Sequence, residues 1–182
     1  MSGIKIRGTG RGLPERVLTN DDLAKKVDTS DQWIVSRTGI RQRRLCTEET
    51  HADLCAAAAR AALERGGIRP EELGVCIVAT MTPDTLVPSA ACTMQRALGL
   101  SCDTLCFDLN AACTGFLYAL HTAECLLAAA PRKYGLVIGA DVFSRVLDWS
   151  DRSTCILNGH GARPALEECR AETPDRKSDD KR

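Results

Sequence analysis

Strand and helix alternate along this chain, and the alternation predicts an α/β layered fold. Three observations carry the prediction. Residues 74–80 (GVCIVAT) form a continuous apolar, β-branched run, short enough for a strand and lacking the polar alternate positions of a water-facing one. Residues 104–109 and 134–142 read as further strands, with helical segments and short links between the three, which implies a parallel sheet. Residues 111–130 are apolar nearly all round, so that helix is expected in the interior, with layers on both sides.

The elements follow in order. Residues 4–10 read as a first strand running into GTGRGLP, a turn punctuated by glycine and proline. Its glycines resemble a dinucleotide loop only loosely, because Leu13-Pro14 stands where a helix with a third glycine should open. Asn20 is expected to cap a short helix through Asp21, Asp22, Leu23 and Val27. Ser30 caps another, carrying Trp33, Ile34 and Val35, which Gly39 ends. Thr50 and Asp53 form a short-armed capping box for a helix to about Arg65. Leu54, Ala58, Ala61 and Ala62 give that helix a low-relief face, and Gly66-Gly67 supplies its left-handed exit. Pro88 begins a helix through Gln95 and Leu98.

Composition bounds the function. A chain of 182 residues is long enough for one domain with a substantial core. Its 24 basic and 24 acidic residues leave no global field for nucleic acid or an anionic membrane, and 4% aromatics rule out a base-stacking platform. The ten cysteines are scattered without a CxxC pair, so no metal site is expected and most read as small apolar side chains. With no signal-peptide stretch and no run of 18 apolar residues, a soluble protein of the reducing cytoplasm is expected.

Chemistry concentrates at Cys113. In LNAACTGF, Asn110 is a candidate N-cap, which would make Cys113 the third helical residue, among unpaired amides at the positive end of a helix dipole. Those amides favour thiolate, and apolar burial opposes it. Small neighbours leave the sulfur open to a carbonyl carbon, as covalent acyl transfer requires. Read from the residues alone, a buried structural cysteine remains the competing assignment.

Four ordered segments then carry a resemblance: TSDQWIVSRTGIRQRR (29–44), VPSAAC (87–92), DLNAACTGFLYAL (108–120) and DRSTCIL (151–157). Together they resemble the successive signatures of beta-ketoacyl-acyl carrier protein synthase III, a thiolase-fold condensing enzyme, from about Ile4 to Gly161. The resemblance implies a thiolase-like layered fold, of which this chain holds the N-terminal βαβαβ half with its buried central helix, the C-terminal half being missing. It implies that Cys113 takes an acyl group from acyl-CoA and yields it to the carbanion left by decarboxylating malonyl-acyl carrier protein. Sulfur suits both steps, being a good nucleophile and a good leaving group. In the same family reading Trp33 stacks the CoA adenine, Arg37 and Arg152 stand at the CoA entrance, and Val87 crosses a homodimer interface to close the partner's acyl pocket. No cofactor is implied, since acyl-CoA is a substrate. The bland rivals are that Trp33 anchors its helix and the two arginines are solvated charges. The cluster Arg37, Arg41, Arg43 and Arg44 offers local basic surface for an acidic carrier protein.

The chain also departs from the family. Family members are nearly twice as long, and their second half carries the His and Asn that complete a Cys-His-Asn site. His121 lies eight residues after Cys113, about 12 Å along a helix, too far to reach the sulfur. His51 is expected to be exposed, and nothing orients His160. Gly159-His160-Gly161 precedes an Arg-Pro pair where the family enters another strand, which suggests a frameshifted or prematurely ended gene. The boundary is therefore set at residue 161, with 162–182 expected to be a non-family, disordered, charged tail. Missing layers should leave apolar surface wet and make the chain associate or aggregate. Two functions remain: an acyltransferase of fatty-acid initiation or a related pathway, or a non-catalytic fragment that at most dimerises or binds CoA.

Overall fold

A computed structural model describes residues 4–156 and the backbone of residues 165–171. The chain enters through β1 (Ile4–Arg11), β2 (Arg16–Thr19), α1 (Asn20–Ala24), α2 (Asp31–Thr38) and β3 (Gln42–Leu45). It continues through α3 (His51–Gly66), β4 (Leu73–Ala79), α4 (Ala90–Leu98) and β5 (Leu105–Leu109). After α5 (Gly115–Ala129) come β6 (Tyr134–Gly139), α6 (Arg152–Cys155) and β7 (Ala165–Ala171).

The all-apolar run becomes β4, buried at every position. It pairs in parallel with β5 on one side and β6 on the other, within a sheet of order β1-β7-β6-β4-β5. Side chains alternate across a strand, so β4 feeds two cores. Cys76 and Val78 face α3 and α4, packing with Ala58, Ala59, Ala91 and Met94. Val75, Ile77 and Ala79 face α5, meeting Ala119, Ala123 and Leu127. The expected α/β layering is present.

Local helix signals hold where both partners are close in sequence. Thr50 and Asp53 form the reciprocal box at α3, and Gly67 closes that helix with φ +63°. Ser30 caps α2 and Gly39 ends it at φ +72°. Two glycines of the first turn serve packing: a Cβ at Gly10 would strike the Ala58 carbonyl, and one at Gly12 the Leu54 carbonyl, so β1 lies directly on the α3 backbone.

Several expectations need correction. The cap of α1 is Thr19, whose side chain accepts from the Asp22 amide, while Asn20 turns inward and is buried. The helix expected from Pro88 begins at Ala90 under Ser89, and the last parallel strand stops at Gly139. The antiparallel β2–β3 pair, Arg16 opposite Leu45 through Thr19 opposite Gln42, was not foreseen. Neither strand alternates apolar and polar residues clearly enough to announce itself.

The boundary at 161 also gives way. β7 lies between β1 and β6, antiparallel to both, with Arg11 opposite Ala165 and Ile138 opposite Leu166. Part of the expected tail is thus a strand of the main sheet; residues 172–182 lie outside the described residues.

The central helix is not buried all round. Gly115, Ala119, Ala123 and Leu127, one residue per turn, face the sheet, while Leu117 and Tyr118 are 62% and 57% exposed. Among the described residues only the sheet covers α5, so its second apolar face meets solvent. The stretch Ala112–Ala129, with mean hydropathy 1.2, is long and apolar enough to cross a membrane by length and composition, and here its inner stripe packs on β4 and β6.

Candidate active site

Parallel strands send their C-terminal ends to one edge, where α/β folds place their sites. At that edge β4 leads into 80–89, β5 into 110–114 and β6 into 140–142. Asp141 ties two of them together: its Oδ1 accepts from the Met81 amide at 2.7 Å and from the Thr80 and Thr82 hydroxyls at 3.2 and 3.1 Å. Asp108, near the end of β5, accepts from the Ala90 and Ala91 amides at 2.8 Å each, anchoring the start of α4.

Cys113 sits in the turn after β5. Ala112–Thr114 forms a single 3-10 turn that leads into α5, and Ala112 has φ +47°, a left-handed conformation that costs a residue with a Cβ about 1 kcal/mol or more. Cys113 is exposed. Asn110 is not the cap: Thr114 occupies that position, with no side-chain cap bond, so Cys113 lies just ahead of α5 rather than as its third residue. The positive end of the helix dipole still adjoins it.

Val87 stands 87% exposed between β4 and α4, beside Leu86 at 88%. Two residues later Ser89 caps α4, whose first amides Asp108 holds, so the Val87 segment is anchored to the strand that delivers Cys113.

The structure brings Trp33, Arg37 and Arg152 together. Trp33 rides on α2, and the Arg37 guanidinium, one turn further on, lies 4.5 Å from its ring centroid. Arg152 opens α6 under an Asp151 cap and stands 4.8 Å from the same ring, giving two cation–π contacts on one indole. A cavity of about 500 Å³ opens there, lined by Trp33, Asp151, Arg152, Ser153 and Ile156. Bonds from the Ser153 and Thr154 hydroxyls and the Ser153 amide hold the Asp151 carboxyl below its usual range. An aromatic face flanked by cations, beside an open cavity, has the chemistry to receive a purine nucleotide.

One histidine departs from expectation, and His121 stays out of reach of Cys113 as expected. His51 is buried, its Nε2 3.0 Å from the Ala140 carbonyl oxygen, because the start of α3 tucks against the end of β6. His121 is exposed on α5, its Nδ1 3.6 Å from Glu124 Oε2. His160 lies outside the described residues. Among the described residues no histidine bonds to Cys113.

Arg43 also departs from the expected basic surface: it is 2% exposed and donates to Asn20 Oδ1 at 2.6 Å. Arg44 donates to the Pro14 and Glu15 carbonyls, tying β3 to the turn before β2. Two anchors were missed by sequence reasoning. Asp108 had a signal, a lone carboxylate near the end of the strand LCFDL; Asp84, in a loop of mixed residues, had none. Asp84 accepts from the His51 and Ala52 amides and from Arg145 Nη1 at 2.8 Å.

The family model described as 3-Oxoacyl-[acyl-carrier-protein (ACP)] synthase III matches residues 107–174, which include Cys113 and extend through β7. Beta-ketoacyl-[acyl-carrier-protein] synthase III of Clostridium acetobutylicum is 50% identical over 162 residues, covering 89% of this chain and 50% of the relative. The chain thus spans about half the length of the curated relatives it matches. The crystal structure of 3-oxoacyl-[acyl-carrier-protein] synthase III from Aquifex aeolicus VF5 superposes with TM-score 0.86 at 47% identity, covering 94% of this chain and 55% of that one. The Pseudomonas aeruginosa PAO1 structure of the same name gives 0.84 at 42%, covering 94% and 53%. Sharing half its residues with such relatives and following the thiolase-like path of their structures, the chain is similar along nearly its whole length to about half of a beta-ketoacyl-[acyl-carrier-protein] synthase III.

Proposed function

We propose that this chain carries the nucleophile-bearing half of a condensing enzyme that starts fatty-acid synthesis. Cys113 Sγ, as thiolate, attacks the thioester carbonyl of acyl-CoA; the bond to the CoA sulfur breaks, and the departing CoA thiolate takes up a proton. In the second step the carbanion formed when malonyl-acyl carrier protein loses carbon dioxide attacks the Cys113 thioester, and Cys113 leaves as thiolate. Trp33 stacks the CoA adenine, with Arg37 and Arg152 as its cationic neighbours, and no cofactor takes part, acyl-CoA being a substrate. Two copies pair, with Val87 reaching across to shape the partner's acyl pocket, and the protein works in the reducing cytoplasm, where its thiols stay free.

One observation carries the reading: Cys113 is exposed on a strained turn directly ahead of an uncapped helix start, open to an incoming carbonyl. The Arg37 and Arg152 guanidinium groups beside the Trp33 ring support the CoA assignment. The test is mass spectrometry of the chain after incubation with acetyl-CoA. An acetyl group on Cys113, absent from Cys113→Ala, is expected; an unmodified cysteine under saturating acetyl-CoA overturns the proposal.

A second reading, a fragment that binds CoA or dimerises without turnover, is favoured by one observation. Among the described residues no acid or base lies within hydrogen-bond reach of Cys113. Decarboxylation of malonyl-acyl carrier protein needs such stabilisation of developing charge, so condensation is expected to be undetectable, and this second reading predicts no acyl-enzyme and no malonyl decarboxylation.

A further inference from the structure

The Trp33 clamp joins two short helices far apart in sequence. α2 carries Trp33 and Arg37, and α6 carries Arg152 more than a hundred residues later. Stacking energy falls away quickly with misplacement, so something must set the gap between them.

Arg43 is the group that reaches both. It lies on β3, is 2% exposed, and bonds to the backbone of Ile156, a member of the apolar cluster that also holds Leu18, Leu23, Ile34, Ile40 and Cys155. Its Nη1 donates to Asn20 Oδ1 at 2.6 Å, and the Asn20 amide nitrogen donates in turn to Asp31 Oδ1 at 2.8 Å and to the Ile40 carbonyl at 2.7 Å. Asp31 is the first residue of α2, two before Trp33. The other arm, Nη2, donates to the Ile156 carbonyl at 3.4 Å, at the C-terminal end of α6, four residues after Arg152. One buried cation therefore bridges the N-terminal end of one helix and the C-terminal end of the other, the end where positive charge is favourable.

Arg43 is a costly way to fill that volume. Among the described residues its Nε is buried without a hydrogen-bond partner and no carboxylate touches the guanidinium, Asp31 being reached through Asn20. A buried charge without a direct counter-charge is seldom the most stabilising occupant of a core, and an apolar side chain of similar size is often as good. Stability alone does not account for a forked donor here; a device that holds two helices at one spacing does.

Resting on the acyl-CoA reading above, we propose that Arg43 is a positioning residue for CoA recognition, setting the spacing of Trp33 and Arg152 from beneath the clamp without touching the ligand. Arg43→Met keeps the volume and removes both arms; Arg43→Lys keeps the charge but lacks the fork.

The experiment follows Cys113 acetylation by mass spectrometry over a range of acetyl-CoA concentrations in the 182-residue chain and its variants. Arg43→Met is expected to raise the half-saturating concentration about fivefold, with the rate at saturation held, because ground-state binding is what loosens. Arg43→Lys should recover part of that loss. In a Trp33→Ala background Arg43→Met should add nothing further, since the stack it positions is already gone. Equal half-saturation in wild type, Arg43→Met and Arg43→Lys overturns the inference and leaves the acyl-CoA reading standing. A fall in the saturated rate without a change in half-saturation also overturns it. If Arg43→Met does not fold, Arg43→Lys and its cycle with Trp33→Ala decide the matter by the same criterion. No saturable acetylation of the wild-type chain removes the acyl-CoA reading, and this inference with it.

Discussion

The Asp108 carboxylate accepts the Ala90 amide at 2.8 Å, so the strand that delivers Cys113 also holds the start of the helix that follows Val87. Its second oxygen accepts the Ala91 amide at the same distance. A carboxylate at a helix start satisfies orphan amides and favours the dipole, and here it couples two segments of the candidate site. Asp108→Ala is expected to cost about 1–2 kcal/mol in urea unfolding. It should also raise amide-hydrogen exchange at Ala90 and Ala91 well before global unfolding. Unchanged exchange there would show the two segments to be independent.

Close packing of β1 on α3 depends on missing side chains. A Cβ at Gly10 meets the Ala58 carbonyl oxygen and lies 2.8 Å from the Ala62 amide nitrogen, both backbone atoms that a rotamer change does not move. Gly10→Ala is expected to destabilise by about 3 kcal/mol or more, visible as a lower melting temperature. Gly39→Ala, with nothing within 4 Å of the new Cβ, carries only the cost of φ +72° and should lose about 1 kcal/mol.

Acid should loosen the loops around the start of α3. Burial tends to raise the Asp84 carboxyl, but the Ala52 and His51 amides and Arg145 outweigh it and hold it below the usual carboxylate range. Glu49 is drawn down to about 2, first by the Thr47 amide and then by further backbone amides, Glu15 among them. Both folded values lie below the unfolded ones, so their stabilisation is complete above the unfolded pKa and disappears as pH falls through the folded pKa. The urea midpoint should therefore be level from about pH 7 to 5 and decline below about pH 4. Asp84→Asn should flatten part of that decline; an identical acid slope in the variant would remove Asp84 from the explanation.

Exposed apolar groups should make the chain self-associate. Leu86 and Val87 are 88% and 87% exposed, and Leu117 and Tyr118 add a second apolar face on α5. Sedimentation is expected to show concentration-dependent association. Val87→Asp should weaken it with little change in melting temperature, whereas Leu117→Asp should reduce association through the helix face. A monomer at every concentration would argue against pairing through either surface.

What could be read from the sequence follows the range of the interactions involved. The Thr50–Asp53 box, the Ser30 cap and the closing glycines at 39 and 67 join residues three or four apart, so the local order of side chains states them completely. The run that became β4 announced a strand covered on both faces because no position in it tolerates water. Cys113, Trp33, Arg37, Arg152 and Val87 were named from ordered motifs, and the clamp of three of them is present in space.

Other features depend on partners that local sequence does not reveal. Arg43 and His51 looked like surface residues, yet one is held by Asn20 and the Ile156 carbonyl and the other by the Ala140 carbonyl, 113 and 89 residues away at the farthest. The place of β7 in the sheet is set by hydrogen bonds to β1 and β6, which its charged sequence ALEECRA does not advertise. The sequence by itself determined the α/β class, the caps and closing glycines of α2 and α3, and the motif residues, since periodicity and capping are properties of neighbouring positions. Only tertiary structure decided which polar groups are buried and which face of α5 is covered, because desolvation depends on what long-range folding brings alongside.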